Sequence, residues 1–132
     1  MSCSVEFSGP YADAYQLEIR NTKDTTWTGT LVDTTTGRRI HIGSYTLPAG
    51  TQGIAKSQSG FVEYYPWNSG SHSGVCSTLP YTSVVFGVPT TSTQGAAGSL
   101  SDAYEYGDCV GKVGYESHRA AAQGVEVSVG FK

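Results

Sequence analysis

The residues best suited to chemistry in this chain are concentrated in two short runs. The first, Gly60-Phe61-Val62-Glu63-Tyr64-Tyr65-Pro66-Trp67-Asn68, carries aromatics, a carboxylate and an amide into a Ser/Gly-rich stretch over residues 69–74. The second places Asp102, Tyr104, Glu105, Tyr106 and Asp108 just before Cys109. Flat aromatic faces beside carboxylate and amide groups suit a sugar, whose C–H faces stack on rings while its hydroxyls need hydrogen-bond partners. The candidate ligand-binding set is therefore Glu63, Tyr64, Tyr65, Trp67, Asn68, Tyr104, Glu105, Tyr106 and Asp108. Tyr64 and Tyr65 point to opposite faces of a regular strand, so only one of them shares a surface with the neighbours of Glu63 unless a bulge intervenes. Trp67 has two readings, an exposed anchor in its loop or a cap over the core beneath it.

The same residue types permit other chemistries. Glu63 with Glu105 or Asp108 could supply the two carboxylates of a glycosidase, one protonating the leaving oxygen and the other acting as nucleophile or base. The 102–108 run has the oxygen density of a calcium site but matches no defined calcium loop, so calcium is a minor candidate and no cofactor is expected. His41, His72 and His118 lack the close spacing of a zinc site. No Gly-x-Ser-x-Gly nucleophile elbow is present, and no residue is assigned a catalytic role. An enzyme is thus the less favoured class.

Cys76 and Cys109 lie in glycine-flanked, loop-like segments, whereas Cys3 falls on the apolar side of an alternating run. A Cys76–Cys109 disulfide is expected, with Cys3 a buried thiol. The competing reading is three free thiols in a reducing compartment.

The elements that must position these groups are strands. Apolar and polar residues alternate in Cys3/Val5/Phe7 and again in Tyr15/Leu17/Ile19, where Gln16, Glu18 and Arg20 take the other face. A strand over residues 27–32, the polar turn Asp33-Thr34-Thr35-Thr36-Gly37 and a strand over 39–42 read as a hairpin. Residues 61–65 read as a strand that Pro66 ends or places at an edge. Residues 81–88 are β-branched and aromatic, and residues 125–131 place Val125, Val127, Val129 and Phe131 on one face. Residues 117–123 alone suggest a helical turn. About nine short strands, with turn signals roughly every 8–12 residues, predict an all-β fold: a two-sheet antiparallel β-sandwich with Greek-key or jelly-roll connections. The faces Tyr15/Leu17/Ile19, Val84/Phe86/Val88 and Val125/Val127/Val129/Phe131 should form its core.

At 132 residues the chain fits a single domain, 1–132. Its charged fraction is only 14%, with a net charge of −3 and no basic run, so nucleic acid is a poor partner. No apolar stretch approaches the ~20 residues of a membrane span, and membrane insertion is not expected. The start, Met1-Ser2-Cys3-Ser4-Val5-Glu6-Phe7, lacks the basic and apolar regions of a signal peptide.

The run Trp27-Thr28-Gly29-Thr30-Leu31-Val32-Asp33-Thr34-Thr35-Thr36-Gly37, followed by Ile42-Gly43-Ser44-Tyr45-Thr46-Leu47-Pro48 and the Gly60 to Asn68 segment, resembles a poorly characterised β-rich extracellular module of fungal and actinobacterial proteins. Leu79-Pro80-Tyr81 and Tyr104-Glu105-Tyr106-Gly107-Asp108-Cys109-Val110-Gly111 are similar to the same module. That domain of unknown function implies a sandwich-like, extracellular protein and carries no catalytic residues across. Because the chain shows no leader, a cytoplasmic location stays open beside the extracellular one. The favoured function is a noncatalytic carbohydrate-binding module or small lectin, with a glycan or polysaccharide as partner and homo-oligomerisation compatible with it. The alternatives are a small carbohydrate-active enzyme using a carboxylate pair, and a protein-interaction or inhibitor module that inserts the Trp67 loop into its partner.

Overall fold

A computed structural model describes residues 3–64 and 76–132. The chain resolves into two compact units, Met1–Gln58 and Ser59–Lys132. The described residues form six strands in two three-stranded antiparallel sheets, with short 3-10 turns as the only helical structure. The all-β expectation holds, and the count falls short of the nine strands expected. None of the helical segments is long and apolar enough to cross a membrane.

In the first unit β1 (Tyr15–Lys23), β2 (Thr26–Asp33) and β3 (Arg39–Thr46) make a meander with β2 at its centre. The β1–β2 turn passes through Asp24 at φ 48°, and the Asn21 side-chain amide donates to the carbonyls of Asp24 and Thr26 at 2.8 and 3.2 Å. The β2–β3 hairpin is the one expected from the sequence. One carboxylate oxygen of Asp33 accepts from the Thr35 and Thr36 amides at 2.8 and 3.1 Å, and the other accepts from the Thr36 hydroxyl at 2.7 Å. Gly37, at φ 76°, takes the left-handed position and donates its N–H to the Asp33 carbonyl. These bonds hold the Asp33 carboxyl below the usual carboxylate range, the Thr36 hydroxyl contributing most.

Pairing register divides the sheet into two faces. On one face Gln16, Glu18 and Arg20 oppose the buried Val32 and then Thr30 and Thr28, which in turn oppose Arg39, His41 and Ser44, and hydroxyl pairs such as Thr28–Ser44 and Thr26–Thr46, each 2.8 Å, bridge the strands. On this polar face Glu18 sits between Arg39, which donates through Nη2, and Arg20, whose Nε lies 3.1 Å away. The two guanidinium groups lower the Glu18 pKa to about 2, Arg39 contributing most.

The opposite face carries Tyr15, Leu17 and Ile19, as their alternation requires, but it is not the core expected of them. Leu17 is 71% and Ile19 51% exposed, because β1 is an edge strand and burial concentrates at Leu31 in the central one. Residues 3–10 form no strand either. They run as a strap, with the Phe7 ring edge-on to Tyr15 at 5.4 Å and the Tyr15 hydroxyl donating to the Pro10 carbonyl. Cys3 lies against Gly43, where a Cβ would come within 2.6 Å of its sulfur. The thiol is exposed rather than buried, since the residues around it form no strand that a sheet could cover.

In the second unit β4 (Thr82–Phe86), β5 (Glu116–Arg119) and β6 (Val125–Val129) assemble in the order β4-β6-β5. The central strand holds the buried Val125 and Val127. Register sets Val84 opposite Val127 and Phe86 opposite Val125, so the half-buried Val84/Phe86/Val88 face joins them as the alternation predicted. That apolar row ends early. Gly130 breaks it at φ 92°, where a Cβ would lie 2.1 Å from the Pro80 carbonyl oxygen, and Phe131 turns out to be exposed. The expected helical turn over 117–123 is instead the end of β5 followed by a 3-10 turn at Ala121–Gln123. Residues 61–64 carry no strand, contrary to expectation.

Candidate functional site

Residues 101–106 belong to no strand or helix, and their exposure alternates: Tyr104 and Tyr106 are exposed while Ala103 and Glu105 are partly covered. Tyr104 is 78% and Tyr106 55% exposed. The two exposed rings lie two residues apart in the sequence. Three interactions fix the segment. Before the rings, the Asp102 carboxylate pairs with Nη2 of Arg119 on β5, whose Nη1 also donates to the Leu100 carbonyl at 3.2 Å. Between them, Glu105 Oε1 accepts from the Gly111 amide at 3.0 Å, closing the loop that Gly107 and Gly111 turn in left-handed conformations. Beyond them, Cys109 is joined to Cys76, with the Cα atoms 5.5 Å apart. The expected disulfide is therefore present, and it anchors the end of the aromatic segment.

A hollow of about 200 Å³ is lined by Asp102 and Ala103 of this segment with Ser117, His118, Arg119 and Val125. It gathers a carboxylate, a hydroxyl, an imidazole and a guanidinium. His118 Nε2 lies 3.2 Å from Glu126 across the β5–β6 pair. Ser117, His118 and Arg119 were not read as site residues from the sequence, because a helical turn would scatter them. A period-two reading from Glu116 onward, pairing with the valines of the last strand, would have found them.

The other candidates divide. Tyr65, Trp67 and Asn68, with His72, lie outside the described residues. Glu63 and Tyr64 are exposed in the stretch before them, which enters close against β4: a Cβ on Gly60 would lie 2.7 Å from the Phe86 ring. Glu105 commits one carboxylate oxygen to the Gly111 amide, while Asp108 is exposed and uses its main-chain carbonyl to accept from Lys112 Nζ at 3.4 Å. Among the described residues, no three His, Cys, Asp or Glu side chains gather as metal ligands.

A larger hollow, about 310 Å³, lies in the first unit between the strap and the sheet, with apolar walls from Phe7, Pro10, Leu31 and Ile40. Several of its polar groups are spent internally. The Tyr15 hydroxyl serves Pro10, Asp33 serves its own turn, and Arg38 reaches the Ser8 carbonyl at 3.5 Å. Burial, and then the nearby Asp13 and Asp33 carboxylates, push the Tyr15 phenol upward.

No protein-family model, curated protein or solved structure matches this chain.

Proposed function

We propose that the protein is a noncatalytic carbohydrate-binding module or small lectin whose stacking surface is Tyr104 and Tyr106. The observation that carries this reading is the pair of exposed rings on a segment tied down at Asp102, Glu105 and Cys109, whose Asp102 and Ala103 also line a polar hollow. A scattered exposed aromatic is ordinary on any surface. Two exposed rings two residues apart on a backbone held in place offer a prepared surface, which lowers the ordering cost of binding. Asp102, Ser117, His118 and Arg119 supply the donors and acceptors that sugar hydroxyls require.

The disulfide belongs to an oxidising compartment, and the proposed setting is extracellular, in line with the resemblance to a secreted β-rich module. The sandwich closure expected from the sequence, and a glycan contact at Trp67 and Asn68 flanked by Glu63 and Tyr64, belong to this proposal too. The carboxylate-pair enzyme would use Glu63 with Glu105 or Asp108, and Glu105 already gives one carboxylate oxygen to the Gly111 amide of its own loop. A glycan array on the purified protein, with and without calcium, tests the reading. Binding to one glycan class supports it, and retention by calcium chelation identifies the contact as metal-independent. Binding to no glycan contradicts it.

A further inference from the structure

We propose that the outer edge of β1 is a self-recognition surface, taking the same strand of a second copy of this chain in antiparallel pairing about a two-fold axis at Ile19. β1 pairs only with β2 among the described residues, which leaves its other side as an open row of backbone donors and acceptors. Most edges of this kind are blunted by proline, by a central bulge or by charge. β1 contains no proline, and its one irregularity falls near its end, between Asn21 and Lys23, leaving residues 17–21 regular. β3, the other edge of that sheet, is interrupted in mid-strand at the Gly29/Thr30 slip and has Cys3 lying on it at Gly43.

The charges of β1 choose both the partner and the register. With Ile19 on the axis, residue 18 faces residue 20 of the second copy, so Glu18 meets Arg20 twice, once on each side of the centre. Shifting the axis to Glu18 sets two carboxylates face to face, and shifting it to Arg20 sets two guanidinium groups face to face, both destabilising. Centring on Leu17 pairs only residues 15–19. Ile19 is the midpoint of the nine-residue strand, so its register alone centres the regular residues 17–21 on the axis and sets Glu18 opposite Arg20 on both sides.

The side chains are placed for this. Glu18, its side chain only 14% exposed, is already held by Arg39 and by Nε of its own Arg20, and the 70% exposed Arg20 side chain leaves its Nη groups to extend that cluster to the second copy. On the other face, directly opposed strand residues share a side, so Ile19 meets Ile19 and the exposed Leu17 flanks the junction. The pairing joins two three-stranded sheets into one six-stranded sheet and covers the two exposed apolar side chains of the edge. It also presents two copies of any ligand site on one particle, a basis for avidity toward a repeating polymer.

Cysteine cross-linking tests the register, in a Cys3→Ser background that removes the exposed native thiol. Ile19→Cys brings two sulfurs onto the axis, where directly opposed Cβ atoms stand about 4.5–5.5 Å apart. Leu17→Cys leaves its sulfurs four residues out of register. Ile19 faces Gly29 in β2, so its replacement meets no side chain there and the fold should survive. Under glutathione oxidation the position-19 variant is expected to form disulfide-linked dimers at least tenfold faster than the position-17 variant. Sedimentation equilibrium supplies the second arm: Ile19→Lys and Ile19→Asp proteins are each expected to be monomeric, and their equimolar mixture dimeric. Wild-type protein that stays monomeric up to ~1 mM, where even weak interfaces populate, overturns the proposal. So do equal cross-linking rates at the two positions, or a mixture that remains monomeric.

Discussion

Removing the Cys76–Cys109 bridge should cost the second unit much of its stability. The bridge spans 33 residues of sequence. In the chain-entropy description, closing a loop of that length removes about 12.5 cal/mol/K from the unfolded ensemble, or about 3.7 kcal/mol at 25 °C. Typical domain stabilities are only about 5–15 kcal/mol, so the loss is large but need not abolish folding. The double substitution Cys76→Ser/Cys109→Ser, compared with Cys3→Ser as a control for removing a thiol, isolates the bridge. With a urea m-value of about 2 kcal/mol/M, the unfolding midpoint should fall by roughly 1.9 M relative to the control. Amide exchange should rise around residues 104–111, where the bridge and the Glu105–Gly111 bond act on the same loop. An unchanged midpoint at an unchanged m-value would refute the reasoning, since it would mean that the unfolded chain gains no freedom when the cross-link is cut.

Two further outcomes are expected. Val127→Ala, at a site only 7% exposed in the central strand, should cost roughly 2 kcal/mol from lost transfer energy and the cavity left behind, while Val85→Ala on the exposed side of β4 should stay within about 0.5 kcal/mol in the same melts. Glu18 titrates at about 2 in the folded chain against an ordinary 4.5, so the unfolded chain binds the proton first. Its contribution to stability is complete above pH 4.5 and is lost as pH falls from there through about 2; Glu18→Gln should flatten the stability profile over that window, and an identical profile would contradict the Arg39–Glu18–Arg20 arrangement.

Local chemistry was the most legible part of this sequence. The Asp33 to Gly37 hairpin, the Val125/Val127 row with its Val84/Phe86 partners and the cysteine pairing all follow from short-range patterns that the structure repeats. Alternation also put Leu17 and Ile19 on the correct face, but period two reports which side a residue takes, not whether anything covers that side. Edge position decides that, and no local pattern encodes it. The strap over residues 3–10 misled for a related reason: three alternating apolar residues look like a strand wherever they occur, whereas a strand needs a ladder partner. At the candidate site, Tyr104 and Tyr106 were visible as types and spacing. Arg119 and His118 were not, because they arrive from a strand that pairs over a long sequence separation, and their neighbourhood was read with a helical period. Glu105 stood out as a carboxylate, yet the structure gives one of its oxygens to the loop backbone.

The central claim is that the exposed tyrosine pair binds a sugar. Its most direct test is isothermal titration of the glycan selected by the array into wild-type, Tyr104→Ala, Tyr106→Ala and doubly substituted protein, each checked for an unchanged urea midpoint. Both rings are exposed, so the substitutions should leave the fold intact while each weakens binding by about 1 kcal/mol, roughly fivefold in Kd. The double variant should lose about the sum of the two. Affinities unchanged in all three variants, with the fold preserved, would contradict the account.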